Sequence, residues 1–338
     1  MSRRVHCGIY VVVVAATAAI WIYSPAAGQA LNREIVARAR VFPEIGAGVS
    51  ALKRDSAGRY YILGVPATVI AIYAPDGKRI GQIPNANSGG AKIVYAEDID
   101  LDAAGRLFVA DRGANAVKIF SADSSLAASV PVMAPTSMAV LPGDEIAVAA
   151  MRSDRFVDVL DERGKLLRSF GDPADMGDAQ ESKRLLSHGR ITGDAAGHIY
   201  FAFTYLPDPA IKKYDRYGFA AYEISLTAEE FLPSGANRPR EILRLDRHTE
   251  VPTTKPVISA IGVDPVTQEV WAAIGGVLLH FDKDGARLPS YRTVTKDGAR
   301  VDPKAILIEP DRILLAADLI GVFEFARPDK QPTVIPER

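Results

Sequence analysis

From about residue 51 onward the chain alternates short apolar runs with tight polar breaks, and the alternation repeats. An apolar run, an acid or a turn, and a second apolar run occur as "ALKRDSAGRYYIL" from Ala51, "IDLDAAGRLFVA" from Ile99 and "MAVLPGDEIAVAA" from Met138. The same order returns as "ITGDAAGHIYFAF" from Ile191, "IGVDPVTQEVWAA" from Ile261 and "ILIEPDRILLAA" from Ile306. A third run and, in most copies, a second tight turn and a fourth run follow, as in "VIAIYAPDGKRIGQI" and "VKIFSADSSLAASV". Strand, turn, strand, loop, strand, turn, strand is a four-stranded antiparallel meander. Its repeat falls roughly in the 40 to 50 residue range of propeller blades. Alternating apolar positions, as in Arg106-Leu107-Phe108-Val109-Ala110, suit sheets packed face to face. The pattern predicts an all-β, six-bladed β-propeller of four-stranded antiparallel blades.

The sixth copy ends after "GVFEFARPDK" with no clear fourth strand, while "EIVARARVF", Glu34 to Phe42, is unmatched at the other end. Pairing that N-terminal segment with the last blade would close the ring and remove two exposed sheet edges. One interval is lengthened by an insertion, residues 227–257. Thr227 and Glu230 have capping-box spacing there for a short helix, and a charged stretch follows that is long enough to act as a lid or to meet a partner.

With these residues in view, "DAAGRLFVADRGANAVKIF" in the second copy resembles an NHL repeat: Asp-x-x-Gly, an apolar pair, Val-Ala-Asp, a polar loop with Asn, then a strand ending in Phe. The match is partial in the first and fourth copies and degenerate in the others. The resemblance, to the six-bladed TolB-like propeller superfamily, covers residues 34–330 as architecture. It implies little about chemistry, because such propellers include lyases, lactonases, RNA binders and plain binding scaffolds.

Turn lengths divide the predicted disc into two faces. The short Asp/Gly turns, Asp102 to Gly105, Asp161 to Gly164 and Asp282 to Gly285, share one face and read as structural turns. The opposite face carries the long connections from Pro84, Gly171 and Thr227, with shorter loops "DRGANA", "MRSDR" and "TYLPDPA". Binding residues concentrate in loops held by a rigid scaffold, so the long-loop face is the candidate surface, with Arg112, Asn115, Arg152 and Tyr205 as candidates. Innermost strands begin on this face. Aligning the copies places Glu97, Asp98, Thr136, His188, Arg190, Ser259 and Lys304 around the channel mouth. This mixed ring either holds a polar ligand or is a solvated rim of compensating charges.

Composition narrows the picture in two places. The chain has 338 residues with 40 basic and 41 acidic side chains, a formal charge of −1, which argues against nucleic acid as a partner. The first 30 residues run from "MSRR" through an apolar stretch to "SPAAGQA", the pattern of a cleaved secretory signal. The expected protein is therefore extracytoplasmic, periplasmic or secreted, with no stable membrane span after cleavage. Retention of the segment as an N-terminal anchor is the alternative. The single cysteine, Cys7, lies inside this segment, so the mature chain is expected to rely on packing and not on disulfides.

Of the histidines, only His188 is placed near the axis; His198 and His280 fall on outer positions, His6 in the leader and His248 in the insertion. A three-histidine zinc site is therefore not expected. Calcium is a weaker possibility, through an axial acid such as Glu97 or Asp98, or through the acidic loop Asp172, Asp175, Asp178, Glu181. Asn is scarce on the inner strands, and the loop lacks EF-hand spacing. No Gly-x-Ser-x-Gly elbow, HExxH pair or phosphate loop occurs. The sequence thus favours no cofactor and a binding or protein-interaction module, whose partner is a protein or a small polar ligand. A hydrolase or lyase, lactonase-like and working at the channel mouth with Glu97, Asp98, His188 and Arg190 as its acid, base and anion-holding candidates, is the second reading.

Overall fold

The computed structural model describes residues 33–45, 48–151, 153, 155–172, 188–204, 209–226, 257–317 and 321–330. Two strands open the described part of the chain, β1 (Arg33–Val36) and β2 (Ala39–Val41). Blade one follows as β3 (Ala51–Arg54), β4 (Tyr60–Leu63), β5 (Ile70–Tyr73) and β6 (Arg79–Ile83), and blade two as β7 (Ala96–Leu101), β8 (Leu107–Asp111), β9 (Ala116–Phe120) and β10 (Leu126–Pro131). Blade three is β11 (Pro135–Leu141), β12 (Glu145–Ala150), β13 (Val157–Leu160) and β14 (Leu166–Phe170); blade four is β15 (Gly189–Gly193), β16 (Ile199–Phe203), β17 (Ala210–Tyr214) and β18 (Ala220–Ser225). Blade five is β19 (Ala260–Val263), β20 (Val270–Ile274), β21 (Val277–Phe281) and β22 (Arg287–Val294); blade six supplies β23 (Pro303–Ile308), β24 (Arg312–Ala317) and β25 (Gly321–Ala326). Each blade is a meander with the first strand innermost, as the repeat predicts.

Ring closure differs in one respect from the expectation. Ala39–Val41 completes blade six by antiparallel pairing with β25, in the register Ala39↔Glu324. Arg33–Val36 instead joins blade five as a fifth strand, parallel to β22 in the register Arg33↔Tyr291. The hand-over occurs at two residues. The Ala37 N–H donates to the Val294 carbonyl at 2.8 Å and the Arg38 N–H to the Glu324 carbonyl at 2.7 Å. Ala37 is small enough to be buried at the seam, beside Tyr291 and Phe325, where a longer side chain would hold the blades apart. Phe42 then locks blade six to blade one, its ring 5.0 Å from those of both Tyr60 and Tyr73.

The alternation expected of Leu107–Ala110 does not survive in the fold. β8, β16, β20 and β21 are buried along their whole length. The reason is geometric: a blade packs against a neighbour on each side, so its middle strands have no wet face. Outer strands such as β6 and β14 keep most of their positions exposed or half-exposed.

The Asp-x-x-Gly turns have a common construction. Asp55 and Asp102 each accept the backbone N–H four residues on, at 2.8 Å, and the Arg59 and Arg106 side chains fold back onto the same carboxylates. In the fourth blade His198 takes the arginine's place, its Nδ1 2.8 Å from Asp194. The turn glycine is needed for its backbone, as at Gly105 with φ +78°. These acids are engaged in the turns, which accounts for the motif without a ligand.

Candidate functional site

The inner strands of blades two, three and six begin with the same irregularity. Their ladders skip one residue, between Ala96 and Asp98, between Pro135 and Ser137, and between Pro303 and Ala305. The extra residues are Glu97, Thr136 and Lys304, three of the candidates aligned from sequence. A bulge of this kind takes one residue out of the ladder and re-aims its side chain. Each of the three goes to a different use. Glu97 pairs with Arg112 at 2.8 Å on the long-loop face. Thr136 is buried and donates to the Ala149 carbonyl at 3.1 Å. Lys304 lines the central channel.

The channel encloses a cavity of about 350 Å³, bordered by Asp98, Arg190 and Lys304 and, deeper, by Lys53, Asp100 and Glu309. Inner strands present an unpaired backbone edge to this channel, and carboxylates of the preceding blade satisfy part of it. Asp98 accepts Ser137 Oγ–H at 2.6 Å and the Met138 N–H at 3.2 Å, and Asp100 accepts the Val140 N–H at 2.8 Å. Lys53, not anticipated from the sequence, pairs with Asp100 at 2.9 Å. Burial pushes the Asp98 carboxyl above its usual range; Lys53, Arg190 and the two hydrogen bonds only partly offset this.

His188 and Thr136 border a separate small pocket with Arg155 and Phe156. Burial, helped by the positive charges of Arg190 and Arg112, lowers the His188 pKa to about 4, so its imidazole is neutral near pH 7. Ser259 is buried and donates to the Pro303 carbonyl at 2.6 Å, tying blade five to blade six. The structure therefore brings Asp98, Arg190 and Lys304 together in one cavity and distributes Glu97, Thr136, His188 and Ser259 around it. Among the described residues no three His, Cys, Asp or Glu side chains converge as a metal site. His280 stacks on Trp271 at 3.6 Å, and His198 is held in its turn.

On the long-loop face, Arg112 opens a one-turn 3-10 helix that ends at Asn115, which adopts the left-handed conformation and accepts the Ala134 N–H at 3.0 Å. Asn115 thus shapes the loop. The organising group beneath is Asp111, fully buried, which accepts the Val94 and Tyr95 N–H groups at 2.9 Å each and Lys118 Nζ at 2.6 Å. Burial works against its ionisation, but Lys118 and the two amides outweigh it and hold its pKa below the ordinary value. Above this clamp Val94 and Tyr95 are exposed at 54% and 51%, and on other connections of the same face Val65 and Met133 are exposed at 76% and 51%. Hydrogen bonds join the supporting segments into one surface: the Ala96 N–H to the Ala67 carbonyl, Gly113 N–H to Tyr95, and Val132 N–H to Asn115. Asp111 and Tyr95 escaped the sequence reading, although the Val-Ala-Asp ending of the repeat marks the first. Arg152, Tyr205, Asp175, Asp178, Glu181 and nearly all of the insertion lie outside the described residues. Asp172 pairs with Arg155. No helix among the described residues is long and apolar enough to cross a membrane.

Fold and surface define a six-bladed β-propeller with a polar channel and an apolar patch on one rim. Solved structures agree at the level of the fold. The virginiamycin B lyase of Staphylococcus aureus superposes with a TM-score of 0.54 at 12% identity, over 86% of this chain and 98% of the lyase. The WD40 domain of Toxoplasma gondii coronin gives 0.53 at 13% identity, over 84% of this chain and 71% of that one, and the RRP9 WD40 repeats 0.55 at 9%, over 87% and 99%. No protein-family model matches the chain, and no curated protein sequence does. The NHL resemblance therefore rests on the residues quoted above.

Proposed function

We propose that this chain is an exported binding module that engages a protein partner through the long-loop face of blades one to three. The observation carrying this reading is the patch of Val65, Val94, Tyr95 and Met133, exposed beside the Arg112–Glu97 ion pair and seated on the buried Asp111 clamp. Exposed apolar residues gathered on a rigid base and rimmed by charge suit a protein interface, with an aromatic anchor at its middle. That WD40 domains share the fold is compatible with this use. Export rests on the leader-like first 30 residues.

The hydrolase or lyase reading draws less support. Both of its nominated acids have other engagements: Glu97 pairs with Arg112, and Asp98 Oδ2 accepts from Ser137 and Met138. The test is photo-crosslinking from a probe amino acid placed next to the patch, in the intact chain expressed in its own host. A discrete crosslinked partner that is lost in the Tyr95→Ala/Met133→Ala double variant, and kept in Phe219→Ala on the short-turn face, supports the proposal. Equal crosslinking in both variants overturns it. So does an absence of crosslinks together with metal-dependent lactone hydrolysis that disappears on changing Glu97 or Asp98.

A further inference from the structure

Among the described residues, the charges bordering the channel are not all engaged in direct ion pairs. Four carboxylates border the cavity: Asp55, Asp98, Asp100 and Glu309. Asp55 is clamped by Arg59, Asp100 pairs with Lys53, and Glu309 takes Arg54 at 3.2 Å, Arg312, and the Tyr60 hydroxyl at 2.8 Å. Asp98 is held by Ser137 and by backbone N–H groups. Among the described residues, Arg190 and Lys304 have no carboxylate within ion-pairing distance, and both border the cavity. They come from blades four and six. Between them blade five contributes only Ile261, Gly262, Val263 and Pro265, none of which carries charge.

Two cations outside any direct ion pair among the described residues, with Arg190 acting on Asp98 only at longer range, flank an uncharged wall inside a cavity of about 350 Å³ and make a receptor for negative charge. The volume lies within the range of small-molecule sites, roughly 300 to 1,000 Å³. The bulge at Lys304 is the device that turns an inner-strand side chain from the ladder to this use. We propose that the central channel binds a small organic anion, its carboxylate or phosphate group held by Arg190 and Lys304 and its carbon skeleton resting on Ile261 and Val263. Arginine supplies a fork of N–H donors that matches either oxyanion, and lysine a mobile point charge. At Gly262 the inner strands of blades five and six approach closely, since a side chain there would meet Ile306 at 2.8 Å. This site is distinct from the long-loop patch and stands whether or not the patch has a protein partner.

The test is calorimetric titration of the intact protein in chloride-free buffer with two probes, succinate for carboxylates and inorganic phosphate for phosphates. Saturable one-to-one binding of either probe is expected, with the better one naming the ligand class. Arg190→Gln and Lys304→Gln should each weaken it about tenfold or more, the scale of one lost charged hydrogen bond. Arg163→Gln, exposed in a short turn on the opposite face, should leave it unchanged. Thermal melts of the unliganded variants establish that the folds are intact. The proposal is overturned if neither probe binds at millimolar concentration, or if the Arg190→Gln/Lys304→Gln double variant, folded by its melt, binds as tightly as the parent.

Discussion

Ser137 donates its hydroxyl hydrogen to Asp98 at 2.6 Å and accepts the Ile191 N–H at 3.0 Å, so one small side chain on blade three joins blade two to blade four. Inner strands have no ladder partner toward the axis, and such relays take the ladder's place around the channel. Replacing Ser137 with Ala removes an O–H donor and an acceptor in a dry site. The expected loss is about 2–3 kcal/mol, the scale of buried groups left unsatisfied. Urea denaturation measures it; a loss below about 0.5 kcal/mol would mean that the relay is dispensable.

His188 makes stability sensitive to acid. Its folded pKa of about 4 lies below the ordinary 6.5, so the native state keeps it neutral while the unfolded chain takes up a proton. Its contribution is complete above pH ~6.5 and is lost as the pH falls toward 4, about 3 kcal/mol in all. Melting temperatures recorded between pH 7 and 4 should fall less steeply in His188→Gln than in the parent. Parallel curves would contradict this assignment.

Phe42 closes the ring by packing between blades six and one, and it is only 4% exposed. Phe42→Ala should cost about 3–5 kcal/mol, as large-to-small changes of buried aromatics do. Because the lost contacts join first and last blades, amide exchange in β2 and β25 should speed up more than exchange in β12 or β16. Uniform acceleration across all blades would argue against a local lock.

Asp111→Asn keeps the shape of the clamp beneath the long-loop patch but removes the charge opposing Lys118. Breaking a buried pair in this way costs about 3–5 kcal/mol. The specific signature is faster hydrogen exchange at the Val94 and Tyr95 amides, which the carboxylate now holds. Unchanged exchange there would show that the patch is positioned by other contacts.

The fold is legible in the repeat, because turn chemistry and apolar runs are local signals. Asp55, Asp102 and Asp194 read as turn acids and serve as turn acids. The candidate ring was legible only as a set of positions. Glu97, Thr136 and Lys304 align as equivalent bulge residues, yet their partners, Arg112 for the first and the Ala149 carbonyl for the second, are fixed by tertiary contacts that strand patterns do not encode. Lys53 was passed over because its partner Asp100 lies on another blade. The division of Glu34–Phe42 between two blades was hidden for the same reason. Its cause is the burial of Ala37 at a seam formed by residues near the other end of the chain.

That divided N-terminal segment has a consequence for the order of events during synthesis. Ala39 pairs with Glu324 and Arg33 with Tyr291, so β1 and β2 have no partners until β22 and β25 have been made. Blades one to five hold four strands of their own and can form as the chain lengthens, while blade six, with three, stays incomplete until β2 joins it. A ring sealed this way postpones its most non-local contacts, the slow kind to form, to the final step. In the interval, the exposed edges of β22 and β25 are where a nascent chain would be open to mispairing or to the help of a chaperone.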